Sequence, residues 1–171
     1  MNKTRQRILE HVRANPGVHF NAIVRDLEVA TGQAQYHLRR LVKRGDVDEE
    51  SLFGRTHYYR PACEPWERRA LSLLRRETSR QIVAMALRDG TVEAASVSSE
   101  LDVVRSTVSW HLSNLEDADV VETGYTDDGR LAFELVAPER TRHLLEIVSP
   151  SATDSILDRF DRLVDDALSG E

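Results

Sequence analysis

The sequence predicts a mainly α-helical chain with small β-hairpins, arranged as two tandem copies of one small domain followed by a C-terminal amphipathic helix. Apolar residues recur at helical spacing along most of the 171 residues. Short β-type stretches flank turn residues once in each half of the chain. An offset of 74 positions, which places His111 on His37, aligns residues 101–115 with residues 27–41 without a gap. This internal repeat indicates a duplicated domain.

The first copy opens with a helix over residues 4–14, which the Asn15-Pro16-Gly17 segment ends. A second helix is expected from about Asn21, a plausible N-cap, and a short turn separates it from a third helix over residues 31–44. Strands are expected at residues 47–50 and 56–60, around a turn at residues 52–55. A helix, a helix-turn-helix and a β-hairpin in this order predict a winged helix.

The third helix has the two faces that a DNA-reading helix needs. Ala34, Leu38, Leu41 and Val42 share one side at helical spacing. Amide side chains can pair with adenine edges, and arginine can pair with guanine or phosphate. A solvated cationic face has the same composition, so the repeat is needed to support the interpretation. The residues expected to contact DNA from this helix are Thr31, Gln33, Gln35, Tyr36, Arg39, Arg40 and Lys43.

The hairpin places Arg55 near its tip, where it either enters a minor groove or touches phosphate, or only makes the turn soluble. In the second copy the equivalent reading helix spans residues 105–118, and a second hairpin has strands near residues 120–125 and 131–136. Ser106, Thr107 and Ser109 are the residues there that we expect to face DNA.

These elements divide the chain into four predicted segments. Residues 1–62 form the first winged helix, residues 63–77 a linker helix, and residues 78–137 the second winged helix. Residues 138–171 form C-terminal helices. An amphipathic helix left over after both domains must bury its apolar side, and we favour pairing with a second protomer over packing on its own chain. The dimerisation seam consists of Ile156, Phe160, Leu163 and Ala167.

Charge is distributed unevenly. The net charge is −6, but residues 1–62 carry +4 and residues 63–171 carry −10. The reading helix 31–44 carries +4, whereas its counterpart 105–118 carries −1 because of Glu116 and Asp117. Electrostatic attraction to DNA phosphate is therefore expected for the first copy and is nearly absent for the second. The second copy either reads bases weakly or serves mainly in assembly.

The chain resembles the winged helix-turn-helix regulators of archaea, and distantly the MarR and ArsR groups. The residues that carry this resemblance are 29–41, the wing 54–59 and, in the second copy, 106–112. The segment 66–78 resembles the junction in tandem winged-helix proteins of haloarchaea. The near absence of lysine beside abundant arginine and acid is typical of proteins from salt-loving archaea. The resemblance implies binding to double-stranded DNA.

Other chemistry finds little support in the sequence. No phosphate loop, nucleophile elbow or HExxH pair occurs, so we predict no enzyme, no cofactor and no metal site. His37 and His111 are expected to be hydrogen-bonded histidines at the core edge. Cys63, the single cysteine, is either an inert linker residue or, less favoured, an oxidation sensor. No membrane span or signal peptide is visible, so we expect a cytoplasmic protein.

The favoured function is a sequence-specific regulator that binds double-stranded DNA as a homodimer. One alternative is a winged-helix module for protein–protein interaction, because the acidic second half suits a basic partner. Another is an architectural binder that is indifferent to DNA sequence. The sequence predicts no separate ligand domain, and it leaves any small-molecule effector unknown.

Overall fold

The computed structural model describes residues 2–149 and divides the chain into two compact units, Met1–Arg75 and Arg76–Glu171. Each unit has the winged-helix order of elements that the sequence predicts. The first unit consists of α1 (Lys3–Ala14), β1 (Val18–His19), α2 (Phe20–Leu27), α3 (Thr31–Lys43), β2 (Asp48–Leu52), β3 (Arg55–Tyr59) and α4 (Pro65–Leu74). Within residues 76–149, the second contains α5 (Glu77–Asp89), β4 (Val92–Glu93), α6 (Ala94–Leu101), α7 (Arg105–Asp117), β5 (Val121–Tyr125), β6 (Leu131–Leu135) and α8 (Pro138–Val148).

The first unit is built around an apolar cluster to which every helix of the helix-turn-helix contributes. Ile8 and Val12 of α1, Ile23 of α2 and Leu41 of α3 are fully buried in it. The helical spacing of the apolar residues in this part of the sequence therefore marks the buried face of α1. The same holds in the second unit, where Ile82, Val83 and Ala86 of α5 are buried. The helical periodicity identifies these positions because burial of apolar surface decides which helix face turns inward.

Each unit contains a two-residue strand that the sequence analysis missed. Val18 of β1 pairs with Tyr58 of β3, and Val92 of β4 pairs with Phe133 of β6. The resulting three-stranded sheets have the orders β1-β3-β2 and β4-β6-β5. Two residues are too few to show a period-two pattern, so only the tertiary pairing reveals these strands.

The short strand also corrects the predicted start of the second helix. We expected Asn21 to be its N-cap, but α2 begins at Phe20 and its N-cap is His19. The His19 Nδ1 accepts a hydrogen bond from the Ala22 amide at 3.3 Å. Pairing in β1 holds His19 in an extended conformation, with φ −93° and ψ 161°, and this conformation is the one an N-cap requires.

The first wing is tighter than predicted. The expected turn at residues 52–55 is a two-residue turn at Phe53 and Gly54, whose φ values of 50° and 80° match a type I′ hairpin. Arg55 is the first residue of β3 and pairs with Leu52 directly beside the turn. In the second wing, residues 126–130 separate the two strands. The two copies thus share their helices at one offset and differ in the length of the wing tip.

Helix α4, expected in a linker, packs within the first unit. The Tyr59 hydroxyl donates to the Arg68 carbonyl at 3.0 Å, and the Arg68 guanidinium pairs with Asp48 of β2 at 2.6 Å. The Arg75 guanidinium donates to the Pro16 carbonyl at 2.8 Å. The turn after α1 and the base of the wing are therefore both tied to α4.

Replacing Gly17 by alanine is expected to destabilise the first unit strongly. Gly17 has φ +82°, and a Cβ there would lie 2.9 Å from the Leu71 Cβ of α4. Strain at positive φ costs about 1 kcal/mol, and the overpacking adds about 1–3 kcal/mol. Gly45→Ala is the matched control. Gly45 also has a positive φ (+73°), but no atom lies within 4 Å of the position that a Cβ would occupy there.

The measurement is urea unfolding of the full chain, followed through the NMR signals of first-unit amides. Gly17→Ala should lower the free energy of unfolding by about 1–3 kcal/mol more than Gly45→Ala. Equal losses of unfolding free energy in the two variants would show that α4 does not pack closely against Gly17.

Candidate nucleic-acid interface

Helix α3 separates its side chains into a buried and an exposed face. Ala34, His37, Leu38 and Leu41 are buried. Its exposed face carries amide and cationic groups and no acidic residue between positions 31 and 44. The exposed members are Thr31, Gln33, Gln35, Tyr36, Arg39, Arg40, Lys43 and Arg44. Burial of the apolar stripe therefore turns the predicted polar set outward.

Neighbouring arginines on this face have different freedom. The Arg40 guanidinium donates to the Tyr36 hydroxyl at 2.8 Å and lies 5.5 Å from the centre of its ring. Such a pair limits the rotamers of both side chains. Arg39, in contrast, makes no hydrogen bond or ion pair within residues 2–149. Arg40 is thus held along the helix surface, whereas Arg39 is available to a ligand.

A groove of about 750 Å³ lies between α3, the start of α2 and the wing. Among the predicted residues, Gln35, Arg39 and Arg55 line it. The fold therefore brings one amide, one helix guanidinium and one wing guanidinium to the same depression. Thr31, Gln33, Tyr36, Arg40 and Lys43 do not line this groove and lie on the exposed face of α3 outside it.

Two groove residues escaped the sequence analysis. Tyr58 and its cross-strand partner Glu49 both line the groove. Burial and the neighbouring Glu49 carboxylate raise the pKa of Tyr58 to about 12, against the opposing effect of Arg39. The phenol thus stays protonated at neutral pH and can donate a hydrogen bond. Strand alternation, which puts Tyr58 on the same side as Thr56, was the available signal.

The equivalent face of α7 has a different chemistry. Ser106 and Ser109 are exposed and Thr107 is half-buried. The Glu116 carboxylate accepts hydrogen bonds from the Thr123 hydroxyl at 2.6 Å and from its amide at 3.3 Å, which ties the end of α7 to β5. The Arg76 guanidinium lies 5.1 Å from the centre of the Trp110 ring. This face is small, polar and nearly neutral, and its aromatic residue already has a cation partner.

Comparison with known proteins agrees with this architecture. A family model described as an N-terminal HTH domain matches residues 2–71, and one described as winged helix-turn-helix DNA-binding matches residues 75–122. The chain thus contains two tandem helix-turn-helix domains, each with the winged-helix order of elements. An uncharacterized HTH-type transcriptional regulator of Methanocaldococcus jannaschii is 24% identical over 123 residues, or 72% of this chain. The match covers 31% of that relative, so the tandem winged-helix chain spans about a third of its length.

The two core-edge histidines of the tandem winged helices differ. As predicted, His111 is buried and hydrogen-bonded, with its Nδ1 2.8 Å from the Ser79 hydroxyl. The prediction is wrong for His37, whose buried Nδ1 has no hydrogen-bond partner within residues 2–149. Burial and the guanidinium groups of Arg5 and Arg40 lower the pKa of His37. The folded first domain therefore favours neutral His37 more strongly than the unfolded chain does.

Cys63 lies in a buried position between the first wing and α4. Burial and the nearby Glu67 carboxylate raise the pKa of its thiol to about 11. The thiolate that reacts with oxidants is thus scarce at neutral pH, which disfavours the sensor alternative. Within residues 2–149 no three side chains of the metal-binding types come together, and no helix there is long and apolar enough to cross a bilayer.

Acid is expected to destabilise the first domain through His37. The unfolded-state pKa of histidine is about 6.5 and the folded pKa of His37 is lower, so the unfolded chain takes up more protons. Stability is retained above about pH 6.5, falls as the pH drops below it, and levels off below the folded pKa. In His37→Gln this part of the pH dependence should disappear.

The measurement is urea unfolding of the full chain between about pH 5 and pH 8. Unfolding of the first domain is monitored through the NMR signals of its amides. His143→Gln is the control, because His143 is exposed and belongs to the other unit. Comparison of slopes against pH removes any constant cost of each substitution. A slope in His37→Gln equal to that of the unchanged protein would refute this role of His37.

Proposed function

We propose that this protein is a transcription regulator that recognises specific sequences of double-stranded DNA with α3 in the major groove and the first wing against the backbone. The observation that carries the proposal is the exposed face of α3, which combines amides with arginines and carries no acid. The winged helix-turn-helix DNA-binding family and the HTH-type regulator described above support the same class of function.

The exposed side chains of α3 are assigned to bases or to phosphate by their position and by whether they already have a protein partner. Gln35 and Arg39 face the groove beside the wing, and we assign base reading to them. Thr31 and Gln33, in the first turn of α3, are assigned to bases or to phosphate near the helix start. Arg40, held against Tyr36, and Lys43 are assigned to phosphate, where a fixed cation positions the helix without reading sequence.

The wing completes this interface. Arg55 is exposed beside the two-residue turn and makes no ion pair within residues 2–149. It therefore has no competing partner there for phosphate or a minor-groove edge. Tyr58 adds a protonated hydroxyl in the groove. Glu49 also lines the groove, and its carboxylate limits how many phosphates can approach the wing.

The second domain is assigned a subsidiary contact or a role in assembly. Ser106, Thr107 and Ser109 can donate to DNA, but Asp117 stands at the repeat position of Lys43 and Glu116 at that of Val42. Electrostatic attraction to phosphate falls accordingly. The alternative function is a module for binding proteins. Only one observation favours it, namely that α7 lacks the positive charge of α3.

The proposed regulator acts as a homodimer. Its seam, Ile156, Phe160, Leu163 and Ala167, lies outside the described residues, so the proposal rests on the spacing of these residues in the sequence. A two-fold dimer would present two copies of α3 to related half-sites.

Selection from a random duplex library should enrich one sequence motif. On that motif, Arg39→Ala is expected to cost about 1–3 kcal/mol and to relax the preference at one or two base pairs. Lys43→Ala should weaken binding to all sequences alike and reduce the salt slope by about one. The measurement is fluorescence anisotropy at several salt concentrations.

The repeat supplies matched controls. In α7, Ser113 and Asp117 stand at the repeat positions of Arg39 and Lys43. The substitutions Ser113→Ala and Asp117→Ala should therefore change the affinity for DNA little. Equal losses in the two domains would contradict the assignment of reading to α3. Binding without an enriched motif would favour the architectural binder, and no binding at all would favour the protein-interaction module.

Removing residues 150–171 is expected to convert a dimer into a monomer. The apolar seam that we propose to join protomers is then absent, while all of α1 to α8 remains. Sedimentation velocity of the full and truncated chains provides the measurement. Leu157→Asp, on the edge of the same apolar stripe, should weaken the dimer, whereas Asp158→Asn on the opposite side should not. A full chain that sediments as a monomer would exclude this arrangement.

A further inference from the structure

The second domain contains an apolar cavity on the side that the first domain uses for its groove. It has a volume of about 270 Å³ and lies between α6, α7 and the second wing. Ala94, Val108 and Leu131 provide its apolar wall, and Ser98 and Arg105 are among its polar members. The volume is slightly below the range of about 300–1,000 Å³ that is typical of pockets for drug-sized ligands. A ligand of this cavity must therefore be small.

Comparison of the two copies shows how the cavity arises. Ala94 occupies the repeat position of Phe20, whose ring packs against the core cluster of the first domain. The exchange replaces a phenyl ring with a methyl group and removes volume at this point. Ser98 stands where the first copy has Val24, and Arg105 stands where it has Thr31. The second copy thus has less apolar bulk and more polar groups at this place than the first.

Two polar groups of the cavity are without protein partners. The Ser98 hydroxyl is buried and makes no hydrogen bond within residues 2–149. Leaving such a group unsatisfied costs free energy, which a ligand acceptor would recover. The Arg105 guanidinium is exposed at the cavity and has no ion pair in the same part of the chain. Arg130, the other cation of the wall, already pairs with Glu93 at 3.2 Å.

We propose that this cavity binds a small organic monocarboxylate with an apolar body. The apolar body lies against Ala94, Val108 and Leu131, and the carboxylate pairs with Arg105, the one cavity guanidinium without a partner among the described residues. The Ser98 hydroxyl donates to the same carboxylate. One unpaired cation matches one negative charge, so a monocarboxylate is favoured over a dianion. The second domain is then a ligand-binding copy of the first domain.

This site concerns the second domain alone and does not depend on the assignment of α3. Ser109 belongs both to the cavity wall and to the exposed face of α7. A bound carboxylate therefore occupies the surface that DNA would use in this copy, and the two exclude each other there.

The test uses the full ¹⁵N-labelled chain and two probes of matched shape, hexanoate and hexanamide. Hexanoate is expected to shift the amide signals of α6 and α7 saturably, with a Kd of about 1 mM. Hexanamide should bind at least about tenfold more weakly, because it offers no charge to Arg105. Arg105→Gln should remove this difference between the probes without changing the affinity for hexanamide.

A second pair of variants tests the apolar body. Ala94→Phe restores the ring found at Phe20 and should abolish binding of both probes. Ser96→Phe places the same ring on an exposed position of α6 outside the cavity and should leave binding unchanged. If Ala94→Phe does not fold, the ratio of the two probes in Arg105→Gln still decides the question.

Three results would overturn the proposal. They are the absence of saturable shifts at millimolar hexanoate, equal affinity for hexanoate and hexanamide, and an Arg105→Gln variant that still prefers the carboxylate. Because no DNA is present in these titrations, their failure leaves the proposed DNA binding untouched.

Discussion

The structure depends on the burial of one helix face. The Ala34, Leu38 and Leu41 side chains of α3 are almost completely removed from water, and they fix the rotation of this helix about its axis. Each buried leucine contributes about 1.5–3 kcal/mol, far more than any single surface ion pair. Once the apolar stripe is inside, the amides and arginines between its members can only point outward. The cationic face is thus a consequence of core packing.

The surrounding elements convert this helix face into a shaped interface. The two-residue strand β1 pairs with β3. The Nδ1 atom of His57 lies 2.7 Å from the carbonyl oxygen of Gly17. Helix α4 then holds the base of the wing through Tyr59 and Arg68. These contacts fix the wing at a defined distance from α3. The groove that contains Gln35, Arg39 and Arg55 exists because both of its walls are anchored to the same core.

Duplication kept this scaffold and changed its chemistry. Helices α2 and α3 recur as α6 and α7 at a constant offset, and even the left-handed residues Glu28 and Asp102 that follow α2 and α6 correspond. The exposed positions diverged, because side chains in water are not constrained by core packing. Where α3 carries arginine and lysine, α7 carries serine, asparagine and acid, and Ala94 stands at the repeat position of Phe20. The same fold thus presents a cationic helix face in one copy and a cavity in the other.

The sequence by itself determined the helices, the repeat, the main hairpins and the residues buried along α1, α3 and α5, because helical and strand periodicities follow directly from burial. It also separated the buried from the exposed side of α3. Only the tertiary structure decided the strands β1 and β4, the capping by His19, the packing of α4 and the meeting of Tyr58 with Arg39 in one groove. It also decided that His37 lacks the hydrogen bond which His111 makes. These features depend on which distant residues meet in space, and local spacing along a chain carries no record of such meetings.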